Sequence, residues 1–167
     1  MKTWDNFLEA LNYQGAGAVE LDAWFAPPGG SQLNEFLVTA EVYTDSPNGR
    51  YKRAVQDSGT TEEISPSRDN FSPGVIVSAA ARTNIGCFNN NSSAQTIIAE
   101  VKDTRGALIE TLSLTLGPNS WGQTAVTQPV NTGYIKWRPQ VGCPCWAVVV
   151  DNQSNDGSYI PGRKYIP

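Results

Sequence analysis

Three cysteines, Cys87, Cys143 and Cys145, are the most reactive side chains in this sequence, and there is no histidine. The commonest general base and metal ligand is therefore missing. A structural zinc site takes four nitrogen or sulfur ligands at paired spacing, and Cys143-Pro144-Cys145 alone is too tight for one. Cys87 alternates onto the face of Ile85, and Cys145 onto that of Ala147 and Val149. If both faces point inward, these two thiols meet across a layered core. A bond there would close a loop of roughly 60 residues and stabilise the fold by about 4 kcal/mol on the chain-entropy account. Three buried, inert thiols are the other reading. The odd count leaves Cys143 as a thiol or as a link between chains.

Other candidates are weaker. Asp151, Asn152, Asn155 and Asp156 crowd one turn with Gly157, and oxygen-rich turns can hold calcium. Their spacing is not that of an EF-hand, and Asx side chains also cap their own turns, which is the favoured reading. Trp24 alternates onto an outer face with Glu20 and Asp22. There it can stack on a sugar, plug a partner's pocket, or lie beneath the N-terminal helix. Glu20 and Asp22 align in an internal repeat with Lys136 and Arg138, so equivalent positions carry opposite charge. Identical subunits meeting acid to base would assemble head to tail, although two solvated faces explain the charges as well. Three Asn-X-Ser triplets, at Asn70, Asn91 and Asn152, match the glycosylation pattern but arise readily by chance in such a chain. No nucleophile elbow, P-loop or dinucleotide fingerprint occurs. The reading is a non-enzyme with no cofactor.

The elements that must position these residues are short strands. The chain has 167 residues, 15 of them glycine and 11 proline, spread as turn punctuation. Charged residues make up only 17% and the net charge is −4, a poor match to nucleic acid. No apolar run is long enough to span a membrane. Met1-Lys2-Thr3-Trp4-Asp5-Asn6 lacks the apolar core of a secretion signal. A piece of an exported protein, a mature form, or a protein made inside a cell, such as a virion component, all fit.

Trp4, Phe7, Leu8 and Leu11 predict a short amphipathic helix over Thr3–Leu11. Strands follow at Ala18–Phe25, Phe36–Thr44, Val75–Ala79, Arg82–Asn89, Thr96–Asp103, Leu108–Leu116, Tyr134–Arg138 and Cys145–Val150. Thr104-Arg105-Gly106 joins the cleanest hairpin, and Tyr134–Arg138 with Cys145–Val150 reads as another. Residues 4–51 and 121–159 read as two related hairpin units. Trp4 pairs with Trp121, Val42 with Val150, Gly49 with Gly157 and Tyr51 with Tyr159. The expected fold is all-β, two antiparallel sheets packed as a sandwich over residues 1–158 with one short N-terminal helix. Residues 159–167, with Tyr-Ile-Pro twice, form an extended tail.

Arg82-Thr83-Asn84-Ile85-Gly86-Cys87-Phe88-Asn89 resembles the "RTNLGLVN" strand of an Ig-like β-sandwich module repeated in secreted bacterial proteins. Lys102–Ala107 is similar to its "YDAAGT" hairpin, and Leu116–Trp121 to its "LPPGGW". Val149-Val150-Asp151-Asn152 and Tyr159-Ile160-Pro161 resemble its "VVDN…FIP" ending, and Asp5–Gly17 its helix-then-"GAG" entry. The Cys-Pro-Cys insertion and a shortened approach to Arg82 depart from it. The resemblance implies an extracellular accessory module, often beside hydrolases, without catalysis. The expected role is a structural or interaction module on an extracellular, cell or virion surface, self-assembling or bound to a neighbouring module. The rivals are a carbohydrate-binding module, with Trp24, Trp137 and Trp146 as its aromatics, and a hydrolase accessory domain that binds nothing.

Overall fold

A computed structural model describes residues 7–12, 40–46, 49–55 and 64–165. One helical turn, α1 (Phe7–Ala10), precedes a hairpin of β1 (Ala40–Ser46) and β2 (Gly49–Val55). The body contains β3 (Asn70–Val77), β4 (Ala81–Asn89), β5 (Gln95–Asp103), β6 (Leu108–Leu116) and β7 (Ser120–Ala125). It closes with β8 (Val130–Arg138), β9 (Cys145–Asp151), β10 (Gly157–Pro161) and β11 (Arg163–Lys164). The protein is all-β, with two antiparallel sheets ordered β10-β9-β4-β7 and β11-β3-β8-β5-β6. No described helix is long and apolar enough to cross a membrane.

Alternation builds the core. In β5, Gln95, Ile97, Ala99 and Val101 are buried while the residues between them are half-exposed. Ile85, Cys87, Cys145 and Ala147 of the four-stranded sheet share one apolar cluster with Val75, Ile97, Ile135 and Trp137 of the five-stranded sheet. The sheets therefore bury their inner faces against each other. Polar pins fix the ends of this core. Asn70, fully buried, donates from Nδ2 to the Ser65 and Arg68 carbonyls at 2.7 and 2.8 Å. Asn89 donates to the Ser93 and Gly117 carbonyls at 2.8 and 2.7 Å, and its Oδ1 accepts from Gln95 at 2.9 Å. Each buried amide is thus satisfied, as burial requires.

Several expectations change. Tyr134–Arg138 and Cys145–Val150 do not form a hairpin. β8 pairs with β3 and β5, while β9 pairs with β4 and β10, so the two lie in opposite layers. Alternation fixes which face a residue takes but not which strand lies beside it. Both aligned turns are hairpins, yet Gly49 faces Ser46 whereas Gly157 faces Val150, the residue aligned with Val42. The shared residues therefore do not carry a shared register. Residues Gly157–Pro161 and Arg163–Lys164 are strands at the edges of the two sheets. The helix expected over Thr3–Leu11 is described only as one turn, with Leu11 56% exposed.

Gly162 makes the crossing between layers. Its N–H donates to the Cys145 carbonyl at 2.7 Å. A Cβ there would come within 2.9 Å of that carbonyl and of Ile64. Only glycine lets the chain turn so close to the core.

Candidate functional site

Cys87 and Cys145 are bonded as a disulfide. They do not meet across the two layers. They sit directly opposite each other on adjacent strands β4 and β9 of one sheet. Register brings them together, because Ile85 faces Ala147 two positions away and fixes the pairing. Cys143 is fully buried, and its Sγ lies 3.8 Å from Cys145 Sγ. Its backbone is tied to Ile64 by a reciprocal pair of hydrogen bonds of 3.1 and 3.2 Å. Asn91 donates to the Gly142 carbonyl at 3.1 Å, and Val141 N–H donates to Gln95 Oε1 at 3.1 Å. The loop carrying Cys143 is thus fastened to the β4–β5 turn.

The outer face of the five-stranded sheet carries charge. One row across it reads Arg163, Phe71, Lys136, Glu100 and Thr111. Lys136 Nζ pairs with Asp69 Oδ1 at 2.6 Å and lies 5.7 Å from the centre of the Phe71 ring, within cation–π range. Phe71 meets Tyr134 edge to face at 5.7 Å. Arg138 Nε donates to Glu100 Oε1 at 2.6 Å, and Lys102 stands 3.6 Å from the other oxygen. That hydrogen bond from Arg138, with the nearby cations, holds the Glu100 carboxyl below its ordinary range despite some desolvation. Arg138 in turn is raised, first by its bond to Glu100. Lys136 and Arg138 therefore have acid partners within their own subunit. Beside them a shallow open hollow of about 420 Å³ is lined by Ser65, Arg68, Asp69, Lys136 and Arg138.

The outer face of the four-stranded sheet is aromatic. Phe88 on β4 faces Trp121 on β7. Trp146 on β9 faces Gly86 on β4 and Pro161 on β10. Tyr159 on β10 faces Val148 on β9. All four aromatic rings are half-buried. A Cβ on Gly86 would stand 2.6 Å from the Trp146 ring, so the indole lies flat across the β4 backbone because residue 86 has no side chain. Sequence reasoning flagged Trp146 but missed Trp121, Phe88 and Tyr159 as its companions. The signal lay in the register of β4 against both neighbours, which one sequence does not display.

Trp137 is not a surface aromatic. It is 1% exposed, and its Nε1–H donates to Ser72 Oγ at 2.9 Å in the core. Trp24, Glu20 and Asp22 lie outside the described residues. In the turn proposed for calcium, Asp151 Oδ1 accepts from the Gln153 and Ser154 backbone N–H groups, both at 2.8 Å. These bonds, Ser154 first, lower its carboxyl. Asn155 adopts a positive φ of 59°, and its Oδ1 accepts from Arg82 at 3.1 Å. Arg82 also donates to Asn152 at 2.9 Å. The oxygens of this turn build the turn itself, and no group of three or more acidic or cysteine side chains among the described residues is arranged to hold a metal. Compared with protein families, with curated proteins and with solved structures, the chain has no match in any of the three.

Proposed function

We propose that this protein is a non-enzymatic interaction module with an Ig-like β-sandwich fold, displayed on an extracellular or virion surface. The observation that carries the reading is the aromatic stripe of Trp121, Phe88, Trp146 and Tyr159 over the outer face of the four-stranded sheet. Half-buried aromatic residues on a rigid sheet supply large contact area with little side-chain entropy to lose, which is how protein interfaces are anchored. The occupant is a protein surface, either a second copy of this chain or a neighbouring module. The Cys87–Cys145 bond supports an oxidising setting, where such cross-links persist.

The test is sedimentation equilibrium of the wild type and of Trp146→Gln together with Trp121→Gln. A wild type that self-associates, weakened roughly 700-fold or more in the double variant, supports self-assembly; hot-spot aromatics contribute about 2 kcal/mol or more each, and two are removed. Binding of an adjacent encoded module that fails in the same variant supports the neighbouring-module case. A second reading, glycan binding, is favoured by the same rings, since an indole face also stacks on sugars. Glycan-array binding that needs Trp146, by a protein monomeric at every concentration, would replace the protein partner with a carbohydrate.

A further inference from the structure

The third cysteine stands beside a disulfide sulfur. Cys143 Sγ is 3.8 Å from Cys145 Sγ, which is already bonded to Cys87. Exchange proceeds by attack of a thiolate on one disulfide sulfur, so a thiol in van der Waals contact with that sulfur needs little motion to react. The surroundings hold it there. Pro144 restricts the backbone between the two cysteines. The Ile64 bridge grips Cys143 on one side, and Asn91 and Gln95 grip the preceding loop through Gly142 and Val141. On the other side, Gly162 N–H donates to the Cys145 carbonyl.

We propose that Cys143 is the attacking thiol of an internal thiol–disulfide exchange that converts the Cys87–Cys145 bond into a Cys143–Cys145 bond. The Cys143 thiol gives its proton to solvent base when the Ile64 bridge opens. The Cys143 thiolate then forms an S–S bond to Cys145, and the Cys145–Cys87 bond breaks with its electron pair on Cys87, which takes up a proton. One thiol and one disulfide are present before and after, so no oxidant or reductant is consumed. The outcome is structural. A bond between strands becomes a small ring within Cys-Pro-Cys, and β4 and β9 keep only their hydrogen-bond ladder. The buried thiol of β4 becomes the reporter. Exchange is slow in the closed state because all three cysteines are nearly or fully buried. It quickens with alkaline pH and with opening at Ile64.

The experiment holds the oxidised protein at mildly alkaline pH without reductant, quenches it in acid, and alkylates with N-ethylmaleimide after unfolding. Proteolysis and mass spectrometry then map the cysteines. The expected result is alkylated Cys87 growing at the expense of alkylated Cys143. The peptide holding both Cys143 and Cys145 should separate from the Cys87 peptide and appear unalkylated, two hydrogens lighter than its dithiol form, at a rate independent of protein concentration. Cys143→Ser should abolish Cys87 alkylation under the same conditions. Alkylation of Cys143 alone at every time, with every bridge joining Cys87 to Cys145, would overturn the proposal. So would Cys87 alkylation that depends on concentration and accompanies cross-linked dimers. The wild-type mapping decides the matter even if a variant fails to fold.

Discussion

The two outer faces of this protein are built on the same backbone plan and dressed in opposite chemistry. On the five-stranded sheet, one outward row runs Arg163, Phe71, Lys136, Glu100 and Thr111, and two cations of this face are paired inside the subunit, Lys136 with Asp69 and Arg138 with Glu100. On the four-stranded sheet, the outward positions include Trp121, Phe88, Trp146 and Tyr159 beside Gln123, Asn84 and Val148, and Gly86 leaves room for an indole. A face whose charges already have partners gains little from a new neighbour, since exposed ion pairs contribute about 0–1 kcal/mol. A face of half-covered rings still has apolar area to remove from water, at roughly 25 cal/mol per Å². The difference teaches which face has more apolar surface left to cover, and that face is the aromatic layer.

That contrast presumes one shared core beneath both faces. Trp137→Ala should therefore have the largest effect, a loss of about 3–5 kcal/mol in urea unfolding, because it empties a buried volume and strands Ser72 Oγ. A loss confined to one layer, seen as two unfolding transitions, would break the comparison by showing two independent units. Replacing both Cys87 and Cys145 by serine should cost about 4 kcal/mol on the chain-entropy account, the bond spanning a sequence separation of 58. Gly86→Ala comes next. Its Cβ would stand 2.6 Å from the Trp146 ring and push the indole off the strand. The expected destabilisation is about 1–3 kcal/mol, with a red shift in tryptophan emission. An unchanged spectrum would mean that the ring is not seated on β4.

The charged face should yield less. Glu100→Gln is expected to lower stability by under about 1 kcal/mol near neutral pH. Because folding lowers the Glu100 carboxyl, its stabilisation is present above the ordinary glutamate value and lost as pH falls through the lowered one. The gap between wild type and Glu100→Gln in urea midpoint should therefore close on acidification below about pH 4. A gap that widens instead would contradict the Arg138–Glu100 pairing. Lys136→Gln should be the mildest change, within about 0.5 kcal/mol, as for most surface substitutions.

Legibility from sequence followed how local the determinants are. Leu108–Leu116 and its partner were readable because Ile97, Ala99 and Val101 alternate cleanly and Thr104-Arg105-Gly106 supplies the turn, with Gly106 at φ 86°. β7 was missed because Ser120-Trp121-Gly122-Gln123-Thr124-Ala125 buries no residue and shows little contrast between its faces. The start of β3 was missed because its buried positions are polar, Asn70 and Ser72, and Pro73 interrupts it. Cys87 and Cys145 were recognisable as inward residues, but not as neighbours in one sheet, since alternation carries no information on strand order. The carbohydrate-binding reading would need Trp137 on the surface, although its alternation with Ile135 already places it inside. The charged pair Lys136 and Arg138 was singled out, yet its acid partners sit on the β3 approach and β5, distances that only the fold supplies.

The glycine crossing at position 162 has a mechanical consequence. A pull at Tyr165 meets first the two-residue clamp of β11 on β3, then the five-residue ladder of β10 on β9. Directly behind that ladder stands a cysteine bonded to the strand beyond it. Tension entering there is shared by both layers in sequence and then reaches a covalent anchor. The protein should thus yield by peeling its last residues long before the core between its two sheets is torn open.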